Sequence, residues 1–148
     1  MFRGVAQLNL DSKGRLAVPA RFRDALAARC AGHLVLTGDS DRCLLIYPLP
    51  DWEPIEQKLM ALSSFNAQIR ELQRRLVGYA EDVVMDGTGR ILVPTALRDY
   101  AQLEKAVTLI GQGNKFELWN KDNWEQRMDQ GGAFGTGALP PELEGFSL

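Results

Sequence analysis

The chain has 148 residues, 45% of them hydrophobic and 24% charged, with 17 Lys and Arg against 19 Asp and Glu. That apolar fraction excludes a wholly disordered chain, and the length fits one domain or two very small ones. A formal net charge of -2 argues against a strongly basic coat for nucleic acid, although a total can hide a distribution.

Val5 to Leu10 reads as a strand with partial alternation. Asp11-Ser12-Lys13-Gly14-Arg15 reads as a turn, because Asp bonds the backbone two residues on and Gly accepts a positive φ. Leu16 to Val18 resumes an extended run, so the turn is expected to close a hairpin. Pro19 suits the first turn of a helix over about Ala20 to Ala28, since its missing N–H costs nothing there. Leu34 to Thr37 and Cys43 to Tyr47 are short apolar strands around a turn at Gly38-Asp39-Ser40-Asp41. Ile55, Leu59 and Leu62, then Ile69, Leu72 and Leu76, follow helical spacing. Ser63, Ser64 and Asn66 interrupt the pattern and are good N-caps, so two connector helices are expected. Arg70, Arg74 and Arg75 on the second helix are expected to form a solvated face. The second half predicts a strand over Val83 to Met85, a turn over Asp86 to Arg90, and a strand over Ile91 to Val93. A helix after Pro94, a strand over Val107 to Ile110, a turn from Gly111 to Lys115, and a strand over Phe116 to Trp119 follow. Residues 131–148 hold five Gly, two Pro and no Lys or Arg, and read as a mobile extension.

The two halves are copies. Asp11-Ser12-Lys13-Gly14-Arg15-Leu16-Ala17-Val18-Pro19-Ala20-Arg21-Phe22-Arg23-Asp24 reappears 75 residues later as Asp86-Gly87-Thr88-Gly89-Arg90-Ile91-Leu92-Val93-Pro94-Thr95-Ala96-Leu97-Arg98-Asp99, with seven of fourteen positions identical. The division is repeat one over about 1–52, a helical connector over about 53–78, and repeat two over about 79–130. Units of this size bury too little to stand alone. They are expected to pack on one another as one domain over 1–130, an α+β interleaved barrel with peripheral helices, followed by the 131–148 tail.

No catalytic set survives inspection. His33 is the single histidine and has no nucleophile at a spacing that would make a dyad. Cys30, His33 and Cys43 lack the fourth ligand of a structural zinc site, so no metal and no cofactor are expected. The two cysteines are expected to be free thiols in a reducing compartment. No apolar run approaches bilayer length. The start, Met1-Phe2-Arg3-Gly4, lacks a secretory apolar core, and the chain reads as cytosolic, with no membrane partner and no small-molecule substrate.

Charge is unevenly spread. Residues 1–29 sum to +4, residues 117–148 to -4, and residues 86–99 to zero. The Asp-x-x-Gly-Arg turn holds an Arg at the base of a loop, where its planar fork suits phosphate or a guanine edge. Lys13 stands at the loop tip, with Arg3, Arg21 and Arg23 close in sequence. Asp11 and Gly14, like Asp86 and Gly89, shape the turns. Asp11 with Arg15, and Asp86 with Arg90, could instead pair across their turns and simply pin them.

The two copies of this motif, together with Leu44-Leu45-Ile46-Tyr47-Pro48 between them, strongly resemble the MraZ family of AbrB-like, swapped-hairpin DNA-binding folds. The resemblance runs from Met1 through Trp119, about 80% of the chain. It implies a pseudo-symmetric swapped-hairpin barrel that acts as a bacterial transcriptional regulator. The implied target is the promoter of the division and cell-wall gene cluster, bound as a ring-shaped homo-oligomer on promoter repeats in the nucleoid. It implies DNA contact by Arg15 and Arg23, and by Arg90 and Arg98. Thr88 stands where the first copy has Lys13. A different reading remains open: AbrB-like folds also serve as antitoxins, and the acidic C-terminus would suit a protein partner.

Overall fold

The computed structural model describes residues 1–130 and 140–147. Repeat one forms β1 (Phe2–Asn9), β2 (Arg15–Ala17), α1 (Ala20–Cys30), β3 (His33–Gly38) and β4 (Leu44–Pro48). The connector forms α2 (Leu49–Ala61) and α3 (Ala67–Leu76). Repeat two forms β5 (Glu81–Val84), β6 (Arg90–Leu92), α4 (Thr95–Tyr100), β7 (Ala106–Gly113) and β8 (Lys115–Asn120), followed by α5 (Lys121–Asp129) and a short 3-10 turn at Pro141–Leu143. The fold is therefore mixed α and β, with antiparallel strands and helices packed on them. Among the described residues no helix is long and apolar enough to cross a membrane.

Strand pairing is exchanged between the repeats. A six-stranded sheet runs β1-β7-β8-β4-β3-β5, and β2 pairs with β6 in a separate two-stranded ribbon. β1 therefore borrows β7 from repeat two, and β5 borrows β3 from repeat one. This corrects the expectation of a local hairpin at each Asp-x-x-Gly-Arg turn. The first turn closes on itself, Asp11 N–H donating to the Arg15 carbonyl at 3.0 Å, but its two arms then diverge to partners in the other repeat. It also corrects the expectation of a barrel. β1 and β5 remain the two edges of an open sheet, because each turn sends its second arm out of that sheet into the ribbon.

Alternation of side chains sorts the core into two layers. Leu34, Leu36, Leu44, Ile46, Val107, Leu109, Phe116 and Leu118 point to one face, where Leu16, Ile91, Val93, Phe22 and Leu97 cover them. Both repeats thus share one core beneath the ribbon and the helices α1 and α4. Val35, Leu45 and Tyr47 point the other way and are covered by Trp52 and partly buried residues of the connector. Ile110 and Trp119 meet Trp124 of α5 there. The ribbon seals its side by burying Leu16 and Ile91, which face each other in register. Each contributes about 1.5–3 kcal/mol of burial.

Local chemistry explains most helix ends. Asn66 caps α3, its side chain accepting from the N–H groups of Gln68 and Ile69, as the interruption in the apolar spacing predicts. α2 begins at Leu49, earlier than the connector was expected, because Pro50 fits its first turn. α5 has no counterpart in the sequence-based reading. Its nine residues offer one large aromatic, Trp124, set against Trp119 with centroids 5.7 Å apart.

Candidate nucleic-acid interface

Each Asp-x-x-Gly-Arg turn is built around its aspartate. Asp11 Oδ1 accepts from the N–H groups of Lys13 (2.9 Å) and Arg15 (2.8 Å), and Oδ2 accepts from Arg15 Nε at 2.7 Å. Asp86 does the same with Thr88, Arg90 and Arg90 Nε, the last at 3.1 Å. Thr88 adds its hydroxyl, which donates to Asp86 Oδ1 at 2.8 Å. The backbone N–H of Arg15, with smaller help from its side chain and from Lys13, lowers the Asp11 carboxyl to about 2. The N–H of Arg90 and the Thr88 hydroxyl likewise hold Asp86 well below the usual carboxylate range. Both aspartates are therefore anions at neutral pH.

The pairing reading and the binding reading are compatible in this geometry. Asp11 and Asp86 engage the Nε of their arginines. Among the described residues the terminal nitrogens of Arg15 and Arg90 make no hydrogen bond to protein. The pair fixes the guanidinium edge-on and leaves its outer fork to a ligand.

The ribbon brings the two arginines together. In its register Arg15 faces Leu92, Leu16 faces Ile91, and Ala17 faces Arg90. With Leu16 and Ile91 turned inward, the outward face carries Arg15, Ala17, Arg90 and Leu92. Leu92 is 51% exposed there. Two guanidiniums and one aliphatic side chain thus stand diagonally on a ribbon about 10 Å long.

Arg23 and Arg98 occupy a different position. Each is half-buried and reaches across to the turn of the other repeat. A Cβ on Gly14 would lie 2.5 Å from Arg98 Cζ, and one on Gly89 would overlap Arg23 Nε. Both glycines also have φ near +80° (84° and 79°), so a side chain at either position is strained by the backbone and would push the arginine aside. Arg23 Nε donates to the Val18 carbonyl at 2.6 Å, and Arg98 Nη2 donates to Thr95 Oγ1 at 2.9 Å. The backbone follows the same exchange. Val18 N–H donates to the Gly89 carbonyl (2.8 Å), and Val93 N–H to that of Gly14 (3.0 Å). The geometry makes Arg23 and Arg98 supports of the turns.

Closeness in sequence does not survive as closeness in space. Arg23 belongs to the second turn, not to the first. Arg3 lies near the start of β1, about 20 Å along the strand from the first turn. Arg21 sits beside it, with Nη2 3.3 Å from where a Cβ on Gly4 would be and Cζ 4.8 Å from the Phe22 ring. Lys105 is the residue that local reading missed. It is exposed and lines a groove with Asp11, Gly14 and Arg98. The Leu10 N–H donates to its carbonyl at 2.8 Å. Only the pairing of β1 with β7 places it there, 90 residues from the turn, so no local pattern could reveal it.

The other chemical candidates do not gather. His33 is exposed at the start of β3. Cys30 is half-buried, its thiol donating to the Leu26 carbonyl, and Cys43 is buried. Burial pushes the Cys43 thiol well above its ordinary range, with Glu117 and Asp39 adding to the effect. Among the described residues no cluster of three or more His, Cys, Asp or Glu could hold a metal ion.

Comparison with known proteins agrees with the duplicated architecture. A family model described as "MraZ protein, putative antitoxin-like" matches twice, over residues 1–75 and 76–134. Proteins named transcriptional regulator MraZ align over the full length of both chains. Identity is 60% for that of Nitrosomonas eutropha, 62% for Nitrosospira multiformis and 58% for Thiobacillus denitrificans. With its two turns, its exchanged ribbon and this end-to-end similarity, the chain belongs to the MraZ family.

Proposed function

We propose that this protein is a sequence-specific double-stranded-DNA-binding transcriptional regulator that uses the outward face of the β2/β6 ribbon. The observation that carries the proposal is the diagonal placement of Arg15 and Arg90, each held by its aspartate with the outer fork free. A two-stranded ribbon fits the DNA major groove, and an Arg fork matches guanine O6 and N7. Exposed Leu92 is suited to a thymine methyl. Lys13 and Lys105 flank the first turn and would hold phosphates, which set register rather than sequence. Arg3 and Arg21 would meet phosphates farther along the duplex. Arg23 and Arg98 serve binding by supporting the turns.

The wider reading follows family kinship. Residues 1–130 form one pseudo-twofold domain of the swapped-hairpin, AbrB-like kind, which the exchanged pairing supports. The names of the relatives support regulation of transcription. The protein would act in the cytoplasm, at the nucleoid, as a repressor of the division and cell-wall gene cluster. It would occupy promoter repeats as a ring-shaped homo-oligomer, needing neither cofactor nor catalysis. One ribbon carries few net charges, so several subunits on spaced repeats would supply affinity by avidity. Selection of bound duplexes from a random library tests this reading. A short enriched sequence is expected, and recovery of unenriched DNA overturns it.

A second reading is favoured by the antitoxin-like description of the family. In it the acidic C-terminus binds a protein partner. Most of that segment lies outside the described residues. Deleting residues 131–148 separates the two, since the regulator keeps its DNA affinity and the interaction module loses its partner.

A further inference from the structure

A second basic site lies away from the ribbon, where the C-terminal end of α3 meets the β3–β4 turn and the end of α4. Arg42, Arg74, Arg75, Tyr79 and Tyr100 line an open groove of about 350 Å³ there, with Glu71 its one carboxylate. Three guanidiniums against one carboxylate leave the groove with an excess of two positive charges.

The fold holds these groups in place. The Thr37 hydroxyl, buried in β3, donates to the Leu76 carbonyl at 2.6 Å and anchors the end of α3. The Tyr100 hydroxyl donates to the Asp39 carbonyl at 2.6 Å and anchors the end of α4 on the β3–β4 turn. A Cβ on Gly38 would lie 2.7 Å from the Tyr100 ring, so only glycine admits this approach. Arg42 is held at φ 62° with its guanidinium 4.7 Å from the centre of the Tyr100 ring.

Only one of the three guanidiniums is ion-paired within the described residues. Arg74 pairs with Glu71. Among the described residues Arg42 and Arg75 have no carboxylate partner, and Arg75 Nε is buried without a hydrogen-bond acceptor. Arg70 and Arg74 are exposed, as expected of a solvated connector face, and Arg75 is half-buried. Tyr79 is 41% exposed and packs against Tyr100 with ring centroids 5.3 Å apart, which leaves an aromatic surface beside the guanidiniums. Guanidiniums pair bidentately with phosphate oxygens, and an exposed tyrosine offers a stacking face.

We infer that this groove binds a small ligand carrying phosphate groups beside a planar ring, the chemistry of a nucleotide, with Arg42 and Arg75 on the phosphates and Tyr79 under the ring. The groove's size suits such a ligand. The site is independent of the ribbon and does not rest on the DNA-binding reading.

Titration of the full chain with adenosine triphosphate and with inorganic tripolyphosphate, followed by calorimetry and by the Tyr79 ring signals in NMR, tests the proposal. Both probes are expected to bind, the nucleotide more tightly and with a shift of the Tyr79 signals. Arg42→Ala, at an exposed turn, is expected to weaken both by about tenfold, a change that one charged hydrogen-bonded contact accounts for. Arg75→Gln should do the same with an unchanged thermal midpoint. Absence of binding at about 1 mM, or binding undiminished in Arg42→Ala, overturns the site. Equal affinity for the two probes removes the ring from the assignment. A flatter salt dependence of DNA binding in Arg42→Ala would make the groove part of a DNA path and overturn the small-ligand reading.

Discussion

Asp11 and Asp86 carry opposite implications at two levels of description. By net charge, each weakens a DNA-facing surface. By geometry, Asp11 holds three donors of its turn and Asp86 four, and each fixes the arginine that faces outward. Geometry should win, because an unheld Arg side chain must be ordered at the moment of binding. Asp11→Ala is therefore expected to weaken specific DNA binding about fivefold although the protein gains positive charge, the equivalent of one hydrogen bond of roughly 1 kcal/mol. Tighter binding in a gel shift would sink this account of the turn. The same bonds set a pH dependence. The folded Asp11 carboxyl sits near 2, below its ordinary 3.8. Its contribution to the turn is thus complete above the ordinary value and is lost as pH falls through about 2. Carboxyl-carbon NMR should give a midpoint near 2 for Asp11, and a midpoint at 3.8 would mean that the turn is not formed in solution. Cys43, buried and with its thiol pushed upward, should resist alkylation until the chain unfolds, while half-buried Cys30 reacts first.

At the level of elements, the exchange of strands explains what could be read and what could not. The turns, the short strands, the two connector helices and the Asn66 cap are local, and their signals lie within a few residues. Pairing of β1 with β7 and of β2 with β6 is not local. An Asp-x-x-Gly-Arg turn between two apolar runs looks like a hairpin, and nothing within it reveals that a better partner lies 75 residues away. The same blindness assigned Arg23 to the first turn and missed Lys105. α5 escaped notice because a polar helix, held by the Trp119–Trp124 contact, by Arg127 on Asp41 and by Asn123 on Gln102, lacks apolar periodicity. The exchange also predicts how the chain behaves when cut. Residues 1–78 lose the partners of β1 and β2 together, so the fragment should either dimerise or unfold. Light scattering with circular dichroism would reveal which, and a folded monomer would contradict the pairing. Within the shared core, Ile91→Ala should cost about 2–5 kcal/mol and lower the thermal midpoint, since Ile91 is fully buried against Leu16. Gly89→Ala should cost about 1–2 kcal/mol from its φ alone, with Arg23 forced aside in addition.

For the whole molecule, a net charge of -2 says little about function, because the charges are arranged. In the proposed function the DNA-reading surface is a ribbon to which each repeat gives one arginine, so the two copies would act as one reading head despite their unequal charge. Lys13 and Lys105 strengthen the first turn, and the second has Thr88, whose hydroxyl tightens the turn rather than adding charge. Affinity should therefore respond to loss of either arginine, not to Arg15 alone. The most direct measurement is the affinity of Arg15→Ala, Arg90→Ala and the double variant for an enriched duplex and a scrambled one, taken by fluorescence anisotropy across a range of salt. Each single variant is expected to lose about tenfold on the enriched duplex and much less on the scrambled one, as removal of a bidentate base contact requires. The salt slope should fall by about one or less per subunit. A double variant that binds the enriched duplex with the affinity and salt slope of the natural protein would contradict the ribbon as the DNA-reading surface.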